Sequence, residues 1–251
     1  MKPAPWESQG VMSLNNCDVV LRSAGRGAQA VVLVHGIGVS SRYFGPLAAE
    51  LARDCTVYAV ELPGFGSAPR PSRTLDVPDL GGILAGVLAR LGLTDVVLIG
   101  HSMGCQVVAE AARQAPHMVQ RLVLLAPTVN DRERSAVMQG LRLLQDTLHE
   151  PAGVNWIVFS DYVRSCIQYA RTLRPMLEHR LEDVLGSVIC PAHIVRGEKD
   201  PIVPGDWVGR LVGACPGVTT DTVAGAPHVF MYEGAAQTAR CCMAGKPHAP
   251  A

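Results

Sequence analysis

The stretch DVVLIGHSMGCQVVAEAARQ (residues 95–114) decides how the rest of the chain is read. Asp95 to Ile99 is a short run rich in β-branched residues, and from Cys105 onward small and apolar residues recur with helical period. Between them Gly100-His101-Ser102-Met103-Gly104 fits the pattern G-x-S-x-G. With 25 glycines in 251 residues, that pattern is expected about 0.1 times by chance. Its setting carries the weight: a strand leads directly into it and a helix leads directly out. A turn that sharp forces the serine into a strained backbone conformation and brings neighbouring chain close, so both flanks need small residues.

Working outward, strand and helix signals alternate. Upstream, Ala30 to Val34 in AVVLVHG is a continuous apolar run of the kind buried on both faces of a parallel sheet. Before it, Val11 to Leu14 and Asp18 to Arg22 flank Asn15-Asn16 and predict a hairpin. Leu47 to Arg53 and Pro78 to Leu91 read as helices, and Thr56 to Glu61 as a strand. Downstream, RLVLLA (121–126) is another strand, and alternation resumes with AHIVR (192–196), a helix after Pro204, the run Val218 to Val223 and a helix over Tyr232 to Met243. Such alternation predicts an α/β fold, a mostly parallel central sheet with helices on both faces.

Between Thr128 and Val188 the alternation stops. Val137, Leu141, Leu144 and Leu148 fall at i, i+4, i+7 and i+11, and Tyr162, Cys166, Tyr169 and Leu173 repeat that spacing, so each set gives a helix one apolar face. Pro151-Ala152-Gly153 and Pro175 are expected to break the region into three or four helices. The organisation expected is therefore a core in two parts, residues 1–127 and 189–243, a helical insertion over 128–188, and a disordered tail over 244–251. Dividing 251 residues by a typical domain of ~150 gives about 1.7, which one core with an insertion satisfies.

Composition excludes several classes of function. Hydrophobic residues are 48% and charged residues 18%, a globular balance rather than a disordered one. Lys and Arg number 22 against 22 Asp and Glu, so no net field favours nucleic acid or an anionic membrane. No apolar run is long enough to insert in a membrane, and MKPAPWESQG lacks the apolar core of a signal peptide; a cytoplasmic protein is expected. The eight cysteines form no CxxC pair or zinc spacing and read mostly as small buried hydrophobes, Cys241-Cys242 included.

A serine hydroxyl becomes a nucleophile only with a base beside it, and the base needs an orienting carboxylate. AHIVR runs into Gly197-Glu198-Lys199-Asp200-Pro201, and TTDTVAG leads to Ala226-Pro227-His228. Both groups follow predicted strands at their C-terminal ends, where open α/β sheets carry functional loops. The order Ser102, Asp200, His228 matches one triad class. Glu198, Lys199 and Asp206 read as solvated loop charges.

With these residues in place, the chain resembles the α/β-hydrolase superfamily over residues 11–243. The motifs that carry the resemblance are VVLVHGIG (31–38), ELPGFGSA (61–68), GHSMG (100–104), RGEKDPIVP (196–204) and GAPH (225–228), in the family's order. The resemblance implies the α/β-hydrolase fold with an inserted helical cap. It implies Ser102 as nucleophile, His228 as general base and then acid, and Asp200 holding the imidazole tautomer. It also implies an oxyanion hole from the backbone N–H groups of Ile37 and Met103, with Gly36 and Gly38 giving that loop room. Some family members carry the acid at the position of Asp131; Asp200 is preferred because GEKDPIVP matches the usual acid loop. Cys105 stands where a second small residue is usual, and Glu61 replaces the commoner Asp, which reads as structural.

The pocket is expected from His35, Gly36, Gly38, His101, Phe44 and Phe230 near the motif loops and from Trp156, Phe159 and Tyr162 in the cap, whose apolar faces would roof the serine. With no basic cluster there, a mostly apolar, uncharged ester, lactone or thioester is the expected small-molecule substrate. The resemblance calls for no cofactor and no metal, and leaves monomer and homodimer both open. Other readings are C–C bond hydrolysis or cofactor-free peroxidation with the same triad and, from a different class, a hydrolase-fold ligand receptor. A serine at position 102 argues against dehalogenase or epoxide-hydrolase chemistry, which use a carboxylate there.

Overall fold

A computed structural model of the chain describes residues 5–215 and 217–244. The tail expected over 244–251 lies, from residue 245 on, outside the described residues. Eight strands form one sheet: β1 (Ser8–Leu14), β2 (Cys17–Ala24), β3 (Gln29–Val34), β4 (Cys55–Glu61), β5 (Val96–His101), β6 (Val119–Leu125), β7 (Ala192–Gly197) and β8 (Thr219–Val223). Their order across the sheet is β1-β2-β4-β3-β5-β6-β7-β8. β1 and β2 pair as the expected antiparallel hairpin, with Leu14 opposite Cys17, and β2 is antiparallel to β4. All remaining pairings are parallel. The central strands β3 and β5 are buried on both faces, which explains why Val31 to Val34 and Val96 to Ile99 are continuous apolar runs rather than alternating ones.

The helices are α1 (Gly45–Leu51), α2 (Val77–Arg90), α3 (Met103–Gln114), α4 (Ala136–Thr147), α5 (Ala152–Glu178), α6 (Leu181–Leu185), α7 (Gly205–Ala214), α8 (Phe230–Glu233) and α9 (Ala235–Met243). The helix expected near the C-terminus is thus two, α8 and α9, meeting at Gly234. α2 begins with a capping box, in which Asp76 accepts from Asp79 N at 2.7 Å and Asp79 accepts from Asp76 N at 3.2 Å. No helix among the described residues is long and apolar enough to cross a membrane.

Helices α4–α6 form the helical insertion between β6 and β7. Two expectations about it are corrected. Pro175 does not end a helix: α5 runs on to Glu178, with His179 N donating to Pro175 O at 3.1 Å. Proline there removes a single backbone donor near the end of a long helix, a loss the remaining turns absorb. The apolar stripe of α4 is mostly turned outward too, with Leu144 alone of its four residues also lining the cavity. Val137 is 72%, Leu141 55%, Leu144 65% and Leu148 82% exposed. The inward stripe is instead Gln139, Leu143, Asp146 and Glu150, which has the same spacing shifted by two residues. Asp146 and Glu150 can turn inward because backbone donors await them on the loop at 228–229.

Candidate active site

Ser102 sits between β5 and α3 with φ 55° and ψ −121°, a conformation disfavoured for any residue with a side chain. It is held there by packing on all sides. Ser102 N donates to Leu125 O at 2.9 Å and Ser102 O accepts from Cys105 N at 3.0 Å. A methyl on Gly104 would strike the carbonyl of Val34, and one on Gly100 the carbonyl of Gly104, so the two glycines let α3 cross tightly over β3 and β5. A methyl on Gly36 would stand 3.0 Å from Ser102 Cβ. The Cys105 thiol donates to Gly100 O at 3.2 Å and Leu125 O at 3.3 Å, and burial pushes its pKa well up, so it is a packing group beneath the turn.

Asp200 and His228 come together from the loops after β7 and β8. His228 Nδ1 donates to Asp200 Oδ2 at 2.7 Å, and Asp200 Oδ1 accepts from Ile202 N at 2.8 Å and Val203 N at 3.1 Å. Both side chains are buried. Burial alone would lower the imidazole pKa, but the charge and hydrogen bond of Asp200, with Asp146 and Glu150 nearby, raise it to about 9. Asp131 lies elsewhere: its carboxylate accepts from Arg210 Nη2 at 2.7 Å.

A second chain of hydrogen bonds ties three loops together. His228 O accepts from His101 Nε2 at 3.1 Å, which makes Nδ1 of that neutral ring an acceptor for the Tyr43 hydroxyl at 2.9 Å. The Tyr43 oxygen in turn accepts from Gly36 N at 2.9 Å. His35 braces the same loop from behind: its Nε2 accepts from Leu62 N at 3.0 Å and its Nδ1 donates to Gly36 O at 2.7 Å. Glu61 is a buried hub, accepting from Ser41 Oγ at 2.6 Å, Ser67 N at 2.8 Å and Arg22 Nε at 3.3 Å.

Ser102, His228, Gly36 and Ile37 line one cavity of about 270 Å³, roofed by Leu143, Val158, Tyr162, Tyr169 and Met176 of the insertion. Met103 opens α3, so its N–H belongs to the first-turn donors without an intrahelical acceptor. Of the expected pocket residues, Gly36, His101 and Tyr162 line the cavity. His35, Gly38, Phe44 and Phe230 do not: they pack behind it, Gly38 against the rings of Tyr162 and Tyr169. Trp156 and Phe159 stand on the outer face of α5, 63% and 62% exposed.

The residues that fasten the insertion are not among those expected from the sequence. Asp161 accepts from Ser40 Oγ at 2.6 Å and Arg42 Nη1 at 2.8 Å, and Ser165 Oγ donates to Gly38 O at 2.7 Å. On the opposite side Asp146 Oδ1 accepts from His228 N at 3.1 Å and Glu150 Oε1 from Val229 N at 2.6 Å. The signal was present: polar residues at 161, 165, 168 and 172 recur at helical spacing, as do positions 139, 143, 146 and 150.

A serine on a strained strand-to-helix turn and a carboxylate-bonded histidine thus line one cavity on an α/β sheet. A model of the alpha/beta hydrolase family matches residues 31–240, and the chain belongs to that family. An uncharacterized protein of Mycobacterium tuberculosis is 35% identical over 105 residues, 42% of this chain and 30% of that protein. The chain thus matches under a third of the length of that relative. An uncharacterized hydrolase of Bacillus subtilis is 27% identical over 218 residues, 76% of this chain and 80% of that one. A 2-hydroxy-6-oxononadienedioate/2-hydroxy-6-oxononatrienedioate hydrolase of Burkholderia vietnamiensis is 26% identical over 250 residues, covering 84% of each chain. Among solved structures, a thermophilic esterase from Thermogutta terrifontis superposes with a TM-score of 0.79 at 19% identity, over 93% of this chain and 96% of that one. At that identity the likeness is one of fold.

Proposed function

We propose that the protein hydrolyses a carboxylic ester, lactone or thioester through an acyl-enzyme on Ser102. The observation that carries this reading is the 2.7 Å bond from His228 Nδ1 to Asp200 Oδ2 at the edge of a cavity that Ser102 also lines. With Nδ1 committed to Asp200, Nε2 is the imidazole atom left to exchange protons with Ser102. In this reading Ser102 Oγ adds to the substrate carbonyl carbon and its proton passes to Nε2. The carbonyl oxygen, now anionic, accepts from Ile37 N and Met103 N; loss of one such donor typically costs ~10²–10³ in rate. The tetrahedral adduct expels the alcohol or thiol, which takes the proton from Nε2, and water then releases the acid by the same steps.

The helical insertion acts as a cap that excludes water from this chemistry. Among the described residues the cavity wall is mostly apolar and includes neither Lys nor Arg. That argues against a dicarboxylate such as the one in the name of the Burkholderia relative, since two anionic groups would enter unpaired. The test is turnover of a p-nitrophenyl ester series of increasing acyl length by the wild type and by His228→Ala. Chain-length-dependent release of p-nitrophenol, lost in the variant, supports the reading, and no turnover of any member by the wild type sinks it.

A further inference from the structure

One end of the cavity departs from its apolar character. Asp146 and Glu150, on the inward stripe of the insertion, both line it, and they are 4% and 9% exposed. Each carboxyl spends one oxygen on the loop below: Asp146 Oδ1 accepts from His228 N at 3.1 Å and Glu150 Oε1 from Val229 N at 2.6 Å. Glu150 Oε2 is buried and has no hydrogen-bond partner among the described residues. A buried carboxyl oxygen without a partner is costly to keep, and because Glu150 lines the cavity a donor group arriving at this end would offset that cost.

The neighbouring polar groups say what kind of ligand. Gln139 Nε2 donates to Glu133 O at 3.0 Å, Asn155 Nδ2 to Thr147 O at 2.9 Å and Glu150 O at 3.1 Å, and Thr147 Oγ1 to Leu144 O at 2.6 Å. Asn155 Nδ2 is thus committed to two backbone carbonyls and Gln139 Nε2 and Thr147 Oγ1 to one each, so these groups are turned toward backbone. Charge points the same way. Asp146, Glu150 and Asp200 gather around one imidazole, His228, which is already paired with Asp200, and among the described residues the lining holds no Lys or Arg. Burial first, and then the nearness of Asp146, raise the Glu150 pKa to about 8 against the opposing pull of the Val229 N–H and of His228.

We propose that Asp146 and Glu150 form a subsite for a protonated amine, so that the substrate is an ester whose acyl or alcohol part ends in an ammonium group. The proposal deepens the ester-hydrolysis reading by naming its substrate class. With Glu150 ionised, above its pKa of about 8 or once the cation draws that value down, the ammonium would donate to Glu150 Oε2 and complement the carboxyl pair, while the rest of the chain lies along Leu143, Val158 and Met176. This revises the uncharged substrate expected from the absence of basic residues: no basic cluster is also what a cationic ligand needs.

Calorimetric titration of the protein with pentylammonium, pentanol and valerate tests it, because these probes share a length and differ in the terminal group. Pentylammonium is expected to bind about ten-fold or more tightly than pentanol, and valerate more weakly than either. Glu150→Gln and Asp146→Asn should each remove most of that preference. Pentanol or valerate binding as tightly as pentylammonium overturns the subsite, as does undetectable pentylammonium binding or a preference that survives in Glu150→Gln. The comparison of probes on the wild type stands even where a variant fails to fold. Since calorimetry needs no turnover, loss of the subsite and loss of the ester-hydrolysis reading are seen separately.

Discussion

Asp200 Oδ2 accepts from His228 Nδ1 at 2.7 Å, while the other oxygen of the same carboxylate accepts two backbone N–H groups, from Ile202 and Val203. The carboxylate is thus fixed by its own loop before it orients the imidazole. Asp200→Asn should lower kcat/KM by about 10⁴, since an amide presents the wrong partner to Nδ1 and selects the wrong tautomer. Asp131→Asn should change it by no more than a few-fold, because Asp131 pairs with Arg210 instead. Steady-state kinetics on the best p-nitrophenyl ester checks both, and equal losses in the two variants would contradict the assignment.

The raised pKa of His228 sets the pH dependence. At neutral pH its imidazole holds both protons, so the basic form needed to activate Ser102 grows as pH rises toward about 9. The pH profile of kcat/KM should therefore climb well above neutrality, and Glu150→Gln should move the rise to lower pH by removing one group that holds the imidazolium. A profile already flat by neutral pH would show that the surrounding carboxyls do not act on His228.

Stability should follow the same two groups. His228 binds its proton more tightly folded than unfolded, so its contribution is fully present below the ordinary value of 6.5 and is lost as pH rises through about 9. Glu150 is raised from 4.5 to about 8, so its ionisation opposes folding and its cost grows over that interval. Both signs predict a Tm that falls from mildly acidic to alkaline pH, and Glu150→Gln should flatten the part below about 8. Thermal denaturation across that range reads it directly.

The turn at Ser102 depends on what is missing beside it. A methyl at Gly104 meets the backbone carbonyl of Val34, which cannot move without shifting a central strand. Gly104→Ala should cost about 1–3 kcal/mol in urea denaturation and displace Ser102 from His228, lowering activity beyond the stability loss.

Asp161 is buried and joins α5 to the loop at 40–42 through Ser40 and Arg42. Asp161→Ala leaves the Ser40 hydroxyl and the Arg42 guanidinium without that partner. A destabilisation of about 1–3 kcal/mol is expected, with a raised KM from the loosened roof. Unchanged stability and KM would mean the insertion is held elsewhere.

Much of this was legible in the sequence because the core obeys one rule at a time. Val31 to Val34 and Val96 to Ile99 are apolar throughout since both faces are covered, and Gly100 and Gly104 are small since backbone passes over them. The loops carrying Asp200 and His228 could be placed because each follows a strand end. The insertion was harder to read. An apolar stripe at 137, 141, 144 and 148 predicts a helix correctly but not its facing, because which stripe turns inward depends on partners distant in sequence. Asp146 faces inward because His228 N, 82 residues away, has a hydrogen to donate. For the same reason Trp156 and Phe159, aromatic and close to the site in sequence, lie outside the cavity, while Glu150 lines it.

Ser102 as the nucleophile can be read out by mass spectrometry after treatment with a fluorophosphonate. The predicted result is a single adduct on the peptide carrying Ser102, absent from Ser102→Ala and strongly slowed in His228→Ala. A wild-type protein that stays unmodified, or an adduct that persists in Ser102→Ala, would contradict it.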